Sequence, residues 1–255
     1  MITLRNLTTG YKDKTVSRNL NAELHPGQLT CLIGPNGTGK STLLRTIANF
    51  QDALAGEVLI DGRNMTSYDS EALSKLISIV LTDNTHIKGL TAYEVVGMGR
   101  SPYTGFWGRL TAHDREVVER CIRRVGVENV ARQQIQTLSD GERQKTMIAK
   151  AMAQETPVIL LDEPTAFLYY PNKVAVMLML RQLAHDMGKT ILMSIHDIDL
   201  ALQIADNIWL LDHDGRLISG TPRQLSEAGE IDQHVVNENI EFDRSAMTFH
   251  VRLHQ

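Results

Sequence analysis

The sequence predicts an α/β fold with a phosphate site at the carboxyl ends of its parallel strands. The first observation is the stretch 34–42, Gly-Pro-Asn-Gly-Thr-Gly-Lys-Ser-Thr, which fits the pattern G-x-x-x-x-G-K-[ST] without a mismatch. The second is the apolar run 158–161, which ends in the carboxylates Asp162 and Glu163. The third is the alternating pattern within residues 2–24, which is typical of half-buried β-strands. In open α/β sheets, ligands lie beyond the carboxyl ends of the strands.

The composition is that of an ordinary globular chain and argues against nucleic acid as a partner. The 255 residues are 42% hydrophobic and 22% charged, and the net charge of -4 provides no general basic surface. No apolar run approaches the roughly 18 residues that span a bilayer, so any membrane partner must supply the spans. The N-terminus lacks the layout of a signal peptide. The two cysteines, Cys31 and Cys121, make no disulfide framework, and we expect a reduced, cytosolic chain.

The glycine-rich stretch is predicted to cradle the phosphates of a nucleotide. Residues 29–33 before it have the character of a buried strand and residues 43–48 after it that of a helix, the context that separates a true phosphate loop from a chance match. Glycines let backbone N–H groups turn inward, and the helix N-terminus adds a favourable dipole. Lys40 is expected to reach the β- and γ-phosphates, and Ser41 to offer its hydroxyl to Mg²⁺. The predicted cradle comprises Gly34, Pro35, Asn36, Gly37, Thr38, Gly39, Lys40, Ser41 and Thr42.

Tyr11 lies in the connection between two predicted strands, 2–7 and 16–24. An aromatic ring at this place either packs against its neighbours or stacks on a purine, because every base offers a π-face. The segment by itself leaves both interpretations open. The phosphate loop in the same chain favours stacking.

The middle of the chain changes from strands to helices. A loop at 99–108 contains Tyr103, Phe106 and Trp107, and the sequence leaves open whether these rings are packed or form a contact surface. Thr111 is a plausible cap of the charged helix that follows it. The predicted elements are a strand at 56–62 closing in an Asp-Gly turn, a helix at 70–76, a strand at 77–81, and helices at 91–96 and 111–125.

A capping box at Ser139 and Glu142 predicts the start of a helix over 143–153. The N–H groups of residues 140–142 would then lie at a helix start, a natural site for an anion. Many helices begin in this way without binding a ligand, so the cap alone leaves both interpretations open.

Two later strands are predicted to bring acidic and basic groups to the same site. Asp162 is expected to hold Mg²⁺, directly or through water, and Glu163 to polarise an attacking water; the alternative is a solvated strand end. The strand that begins at Thr190 is predicted to run on to His196 and Asp197. A lone histidine there is usually structural, but its place one strand–helix unit after the acidic strand favours contact with a γ-phosphate.

The remaining pattern predicts an amphipathic helix, a hairpin and a β-structured tail. Asp214-Gly215 indicates the hairpin turn between strands at 208–211 and 216–219, and residues 241–255 indicate two short strands. The helix is predicted over 173–187. Its buried side is predicted to carry Val174, Met177, Leu178, Leu180, Ala184 and Met187.

This order of motifs resembles the nucleotide-binding subunit of ABC transporters along nearly the whole chain. The features that carry the resemblance are Tyr11, the phosphate loop, residues 138–142 at the signature position, the acidic strand, and His196 at the switch position. Within that family the chain is most similar to importers of iron–siderophore, haem or cobalamin. That narrower resemblance rests on the short tail, the segment 97–103, and Ala-Phe-Leu at 166–168.

The resemblance implies a P-loop NTPase core with an N-terminal antiparallel β subdomain and an inserted α-helical subdomain. It implies one ABC ATPase domain over 1–255, in which 1–82 and 155–255 form the core with the β subdomain. Residues 83–154, approximately, would form the helical subdomain that carries the signature. The subunit would lie on the cytoplasmic face of the cell membrane, bound to permease subunits and indirectly to a substrate-binding protein.

The resemblance also implies a mechanism in which two copies close head to tail around two ATP molecules. Each ATP would lie between the phosphate loop of one copy and the helix start of the other copy, with Ser139 and Gly141. Catalysis would be mostly positioning and charge stabilisation. The implied roles are Glu163 as general base, His196 as γ-phosphate sensor, Lys40 on the phosphates, and Ser41, Asp162 and Asp83 at Mg²⁺.

The sequence departs from the family pattern in three places. Asp83, or else Asn84, stands where the family usually has Gln; Asp140 and Glu142 replace Gly and Gln of the signature; and Tyr169 replaces an Asp that serves communication across the dimer. Two carboxylates near a triphosphate should repel it unless the cap occupies Glu142 and nearby cations compensate. We therefore expect slow or partner-dependent hydrolysis.

Two other functions are weighed against the importer subunit. A soluble ABC-type ATPase of DNA repair or translation would carry a long coiled-coil insertion or tandem cassettes, and this sequence has neither. A subunit that binds ATP with weak turnover is suggested by Tyr169 and Asp83. The residues that argue against it are the intact Lys40, Asp162, Glu163 and His196.

Overall fold

The structure is a computed structural model that describes residues 1–12, 14–81, 87–105, 107–236 and 239–252. Within these ranges the strands form three sheets, and helices cover the largest sheet. In chain order the elements are β1 (Ile2–Tyr11), β2 (Lys14–Leu24), β3 (Leu29–Ile33), α1 (Lys40–Ile47), β4 (Ala55–Ile60), β5 (Arg63–Asn64), α2 (Ser70–Ser74), β6 (Ile77–Val80), α3 (Ala92–Gly97), α4 (Ala112–Val125), α5 (Asp140–Ala153), β7 (Val158–Leu161), α6 (Tyr170–Met187), β8 (Thr190–Ser194), α7 (Ile198–Ile204), β9 (Asn207–Leu211), β10 (Leu217–Gly220), α8 (Pro222–Glu227), α9 (Glu230–Val235), β11 (Ile240–Asp243) and β12 (Thr248–Val251).

The central sheet has the strand order β10-β9-β3-β8-β7-β6 among the described residues, and only β10 runs antiparallel to its neighbour. Every residue of β3, β7 and β8 is buried, as expected for parallel strands covered on both faces. Because β8 lies between β3 and β7, the carboxyl ends of these three strands adjoin. This order brings the predicted phosphate loop, the acidic pair and the predicted histidine to one edge of the sheet.

The two faces of the central sheet pack into different cores, because successive side chains of a strand point to opposite faces. Cys31 of β3 and Leu161 of β7 belong to the core formed with α3 to α7. Leu32 of β3 and Leu160 of β7 belong to the core that also contains α1 and the sheet of order β2-β1-β4-β5. That second sheet is antiparallel, which confirms the predicted N-terminal β subdomain.

Helices α3, α4 and α5 pack on one another, and Arg100, which is only 2% exposed, links α4 to the C-terminal end of α5. The Arg100 Nε donates to Asp114 Oδ1 at 2.9 Å, and its Nη1 donates to Ala153 O and to Glu155 Oε2, both at 2.8 Å. The Thr111 hydroxyl, together with Arg100, lowers the pKa of Asp114 to about 2. This packed group of helices confirms the predicted inserted helical subdomain, while its boundaries at 83–154 stay a prediction.

In the aromatic loop at 99–108, the Tyr103 ring contacts Arg100 but is 40% exposed, and Trp107 is more exposed still. The guanidinium of Arg100 lies 4.1 Å from the centre of the Tyr103 ring, and the Tyr103 hydroxyl donates to Gln154 O at 3.1 Å. Trp107 is 81% exposed. Phe106 lies outside the described residues.

The predicted buried side of α6 is wrong at two positions. Leu178 is 50% exposed and Met187 is 46% exposed, whereas Val176 and Leu183 are buried. Leu178 lies about 100° around the helix from Met177, which places it off the inward stripe. The predicted strand at 190–197 ends at Ser194, and α7, α8 and α9 were not predicted.

Both cysteines are buried as free thiols, Cys31 in β3 and Cys121 in α4. Burial raises the pKa of both thiols, that of Cys121 to about 11. None of the helices in the described ranges has the length and apolar character needed to cross a bilayer.

Candidate active site

The loop between β3 and α1 takes a conformation that requires glycine at two points. Gly34 has a φ of 148°, and a Cβ added there would lie 2.2 Å from Leu211 O. Gly39 has a φ of 101°, and its added Cβ would lie 2.3 Å from Val16 Cγ1. Gly39 is also the N-cap of α1 and has no side chain to offer, and no acidic residue lies in the first turn. The start of α1 therefore suits an anion.

Lys40 is held against the loop that it follows. Its Nζ donates to Gly34 O at 2.8 Å and to Pro35 O at 2.9 Å, and the residue is only 6% exposed. Burial lowers the pKa of this lysine, and the carboxylates of Glu163 and Asp162 act in the opposite direction. Two carbonyl oxygens therefore hold the ammonium where the loop meets the acidic strand.

A chain of short hydrogen bonds joins the acidic pair to the ends of the neighbouring strands. Asp162 is 4% exposed, and its Oδ1 accepts the Ser41 hydroxyl at 3.1 Å and the Ser194 hydroxyl at 2.8 Å. The Ser194 Oγ in turn accepts the Glu163 N–H at 2.8 Å. Glu163 Oε1 lies 2.6 Å from His196 Nε2. The structure therefore brings Ser41, Asp162, Glu163 and His196 together.

Two of these groups fit a magnesium ion. The Ser41 hydroxyl and the Asp162 carboxylate are adjacent oxygen donors, and a hard divalent cation prefers oxygen ligands. Asp83, the third predicted metal ligand, lies outside the described residues, as does Asn84. Its role stays a prediction.

Tyr11 lies at the rim of the phosphate loop. Its hydroxyl is 3.5 Å from Thr42 Oγ1, and its side chain is half exposed. The exposed ring leaves room for a base to stack, and that role also stays a prediction. Of the other loop residues, Asn36 and Gly37 are exposed, whereas Thr38 is buried and donates to Pro35 O at 2.9 Å.

The second predicted anion site, at the start of α5, is partly closed by its own side chains. Ser139 N donates to Glu142 Oε2 at 3.0 Å, and Glu142 N donates to Ser139 Oγ at 3.4 Å. Hydrogen bonds from Ser139 lower the pKa of Glu142. Asp140 is paired with Arg143 at 2.6 Å. The cap therefore occupies Glu142, and a cation neutralises Asp140, as the sequence argument required.

The start of α5 adjoins another helix of the same chain rather than the phosphate loop. A Cβ added at Gly141 would lie 3.7 Å from the Asn172 side chain of α6. Among the described residues, the hydrogen bonds found for Ser139 all stay within its own helix start. The predicted roles of Ser139 and Gly141 toward ATP are therefore not tested within one chain.

Sequence reasoning missed Ser194, whose hydroxyl touches both members of the acidic pair. A signal was present, since Ser194 is a polar residue in an otherwise mainly apolar strand two positions before His196. Its partners could not be identified without the pairing of β7 with β8.

A model of the ABC transporter family matches residues 17–166, which is more than half of the chain. The chain belongs to the ABC transporter family. This ABC protein is 39% identical over 93% of its length to an uncharacterized ABC transporter ATP-binding protein of Methanocaldococcus jannaschii, of which it covers 80%. It is 34% identical over 89% of its length to the ferric enterobactin transport ATP-binding protein of Escherichia coli, of which it covers 84%.

Solved structures of this family superimpose on the ABC chain along most of its length. A dimeric ATP-binding cassette in a post-hydrolysis state with ADP and phosphate is 29% identical with a TM-score of 0.76, covering 87% of this chain and 99% of the other. A putative metal-chelate type ABC transporter is 26% identical with a TM-score of 0.80, covering 91% and 88%. The predicted ATP-binding subunit and its P-loop NTPase fold are confirmed, and the chain is an ATPase of this family.

Proposed function

We propose that this chain is the ATP-hydrolysing subunit of an importer that takes up an iron–siderophore, haem or cobalamin-type cargo through a separate membrane permease. The import part is supported by relatives named for transport of achromobactin, petrobactin and ferric enterobactin, at 33% to 35% identity. The hydrolytic part is carried by one observation: the loop that bears Lys40 and Ser41 meets the acidic pair Asp162 and Glu163 at one sheet edge.

Ser41 and Asp162 are the residues that would hold Mg²⁺. The ion would supply positive charge that offsets the negative charge developing during phosphoryl transfer. Lys40 exchanges the carbonyl oxygens of Gly34 and Pro35 for phosphate oxygens, since these carbonyls are its present acceptors. The N–H groups at the start of α1 face the same anion and cost no reorganisation.

Glu163 orients the attacking water and accepts a proton from it, because its carboxylate stands at the strand end beside the phosphate loop. His196 holds the Glu163 side chain through the contact between Nε2 and Oε1. The imidazole is thereby placed next to the position of the γ-phosphate, where it senses whether that phosphate is present. Tyr11 stacks on the adenine from the rim of the loop.

Two copies close head to tail, and each covers the ATP of the other with Ser139 and Gly141. This proposal is supported by the place of these residues beside Asn172, within one chain, rather than against the phosphate loop. Solved dimeric cassettes at 29% identity also support it. The permease binds the helical subdomain, 83–154, on the cytoplasmic face of the membrane, and a substrate-binding protein delivers the cargo.

A soluble ABC-type ATPase of DNA repair or translation has less support, because the named relatives are transport subunits. Weak turnover of the isolated subunit is compatible with the importer. We expect the purified subunit to hydrolyse ATP more slowly than the assembled transporter, since Tyr169 and Asp83 depart from the family pattern. Equal rates would contradict this expectation.

The test of the hydrolytic site is Glu163→Gln, with Glu119→Gln on the exposed face of α4 as the matched control. Loss of the general base should lower ATP turnover by about 100-fold or more, while ATP affinity stays near that of the wild type. The control should hydrolyse ATP at the wild-type rate. A Glu163→Gln protein that turns over ATP as well as the wild type would show that Glu163 is not the base.

The test of the cargo class is uptake by vesicles that contain the co-purified permease and this subunit. Ferric siderophore, haem and cobalamin are supplied separately with their binding proteins. ATP-dependent uptake of one of them supports the importer. ATP turnover that none of these cargoes stimulates, together with no uptake, would overturn it.

A further inference from the structure

We infer that Ser194 is a positioning residue that uses one hydroxyl to fix both the Asp162 carboxylate and the backbone of Glu163. The inference deepens the proposed function, because these are the residues proposed for the metal and for the base.

The contacts of Ser194 determine the direction of each hydrogen bond. A serine hydroxyl has one proton to donate and lone pairs with which to accept. Asp162 Oδ1 is an acceptor, so it receives the Ser194 proton at 2.8 Å. The Glu163 backbone nitrogen only donates, so its N–H points to a lone pair of the same oxygen at 2.8 Å. Both bonds are short, and Ser194 is fully buried.

The backbone of Glu163 needs such an anchor. Its φ of 49° lies in the left-handed region, which a non-glycine residue seldom adopts. A hydrogen bond to the N–H from the neighbouring strand keeps the residue in this conformation. The same conformation sends the side chain to His196. Loss of the Ser194 hydroxyl should therefore misplace the base as well as loosen Asp162.

A purely structural role is the competing explanation, and Ser78 of β6 is the matched control for it. Ser78 is 1% exposed and donates to Val158 O at 3.4 Å, and it also accepts the Thr156 hydroxyl at 3.0 Å. Ser78 lies in the same sheet as Ser194, but next to the start of β7, whereas Asp162 and Glu163 follow the end of β7. If a buried strand serine contributes only to packing, removing either hydroxyl should have the same kind of effect.

The experiment compares full-length Ser194→Ala, Ser194→Thr and Ser78→Ala proteins with the wild type. Mn²⁺ binding in the presence of a non-hydrolysable ATP analogue is measured by electron paramagnetic resonance, and ATP turnover is measured separately. Removing an outer-shell partner of a metal ligand typically costs 10–100-fold, so Ser194→Ala should bind Mn²⁺ about tenfold more weakly. Its kcat should fall by a similar factor of about ten, with KM for ATP nearly unchanged.

The loss of Mn²⁺ affinity and kcat in Ser194→Ala should come from the missing hydroxyl and not from the smaller side-chain volume. Ser194→Thr should restore Mn²⁺ affinity and kcat to within about threefold of the wild type, and Ser78→Ala should leave both unchanged. Wild-type Mn²⁺ affinity in Ser194→Ala would overturn the inference, and so would an equal loss in Ser78→Ala.

A second pair keeps the test decisive if Ser194→Ala does not fold. Ser194→Thr and Ser194→Val have nearly the same shape and differ in the hydroxyl. Weaker Mn²⁺ binding in the valine protein than in the threonine protein supports the inference, and equal binding overturns it. The Mn²⁺ measurement does not depend on turnover, so a protein that failed to hydrolyse ATP would refute the proposed function and still decide the role of Ser194.

Discussion

The starts of α1 and α5 are both proposed to face ATP, but their cap residues differ in backbone conformation and in side chain: Gly39 has a φ of 101° and Ser139 a φ of -59°. Helix α1 begins after Gly39, which carries no side chain, and its first turn holds no acidic residue. Helix α5 begins after Ser139, whose hydroxyl and whose N–H are both engaged with Glu142. Both helix ends carry the partial positive charge of the helix dipole. The difference teaches that side chains decide how many donors of a helix start remain for a ligand: α5 commits the Glu142 N–H to its own cap, whereas α1 has no side-chain cap.

Lys40→Ala should produce the largest loss of ATP affinity, because it removes the cation at the uncapped start of α1. Hydrogen bonds to charged groups contribute about 1.5–3 kcal/mol each, so ATP affinity should fall by about 100-fold. Fluorescent-ATP titration measures this loss. Lys75→Ala, which removes an exposed lysine paired with Glu71, is the control and should bind ATP normally. Normal binding by Lys40→Ala would show that the loop does not use its lysine for the nucleotide.

Asp114→Asn should have an effect of similar size, on stability rather than binding. Asp114 closes the cap of α4 with Thr111 and is also paired with the buried Arg100. Removing one partner of a buried ion pair costs about 3 kcal/mol, measured by denaturant unfolding near neutral pH. The pKa of Asp114 is lowered from 3.8 to about 2, so its contribution is complete above about pH 3.8 and is lost as the pH falls toward 2. The variant should therefore approach wild-type stability in strong acid; a constant difference at all pH values would contradict the linkage.

Ser139→Ala should remove the cap from the start of α5 and lower the stability of the protein. Loss of an N-cap side chain costs about 1 kcal/mol, so the unfolding midpoint should fall. If the partner copy also uses this hydroxyl, Ser139→Ala should also lower ATP turnover, by a larger factor than the loss of stability alone explains. Ser139→Thr keeps a capping hydroxyl and serves as the control. An unchanged midpoint in the alanine variant would show that the cap contributes nothing to the fold.

Tyr169→Asp should add a cap to a third helix start. Tyr169 is the N-cap of α6, is 78% exposed, and has no capping hydrogen bond among the described residues. Aspartate is a strong N-cap and should stabilise the protein by up to about 1 kcal/mol. It should also raise ATP turnover, since it restores the family's residue. Tyr169→Phe is the control and should change neither; a slower Tyr169→Asp protein would refute the expected link between this position and slow hydrolysis.

Glu142→Gln should produce the smallest change, visible only in acid. Hydrogen bonds from Ser139 hold the pKa of Glu142 below its ordinary 4.5, so the carboxylate stabilises the fold above that pH and loses this contribution as the pH falls through the lowered pKa. Glutamine keeps the cap without titrating. The melting temperature of the variant should therefore decline less steeply below about pH 4.5. If the melting temperatures of the variant and the wild type change identically with pH, the charge of Glu142 does not contribute to the cap.

What residue spacing and pattern predicted correctly, apart from the family resemblance, was local in the chain. The phosphate loop, the acidic strand end and the box at Ser139 are each encoded within nine residues or fewer, so spacing alone identifies them. Ser194 was missed because its partners belong to another strand, and only the register of β7 against β8 joins them. Leu178 was misplaced because an apolar residue next to the inward stripe resembles a member of it. Whatever depends on a second copy, including the roles of Ser139 and Gly141, lies beyond a single chain.

Helix α5 is hydrogen-bonded to Arg100 at its C-terminal end. Its 14 residues, Asp140–Ala153, give a helix about 21 Å long. The Arg100 guanidinium donates a hydrogen bond to the carbonyl oxygen of its last residue, Ala153. A tilt of about 10° at that end would swing Ser139 through an arc of roughly 4 Å, which exceeds the length of a hydrogen bond. Arg100 therefore anchors the end of α5 opposite Ser139, and the proposed contact of Ser139 with a second copy would depend in part on that anchor.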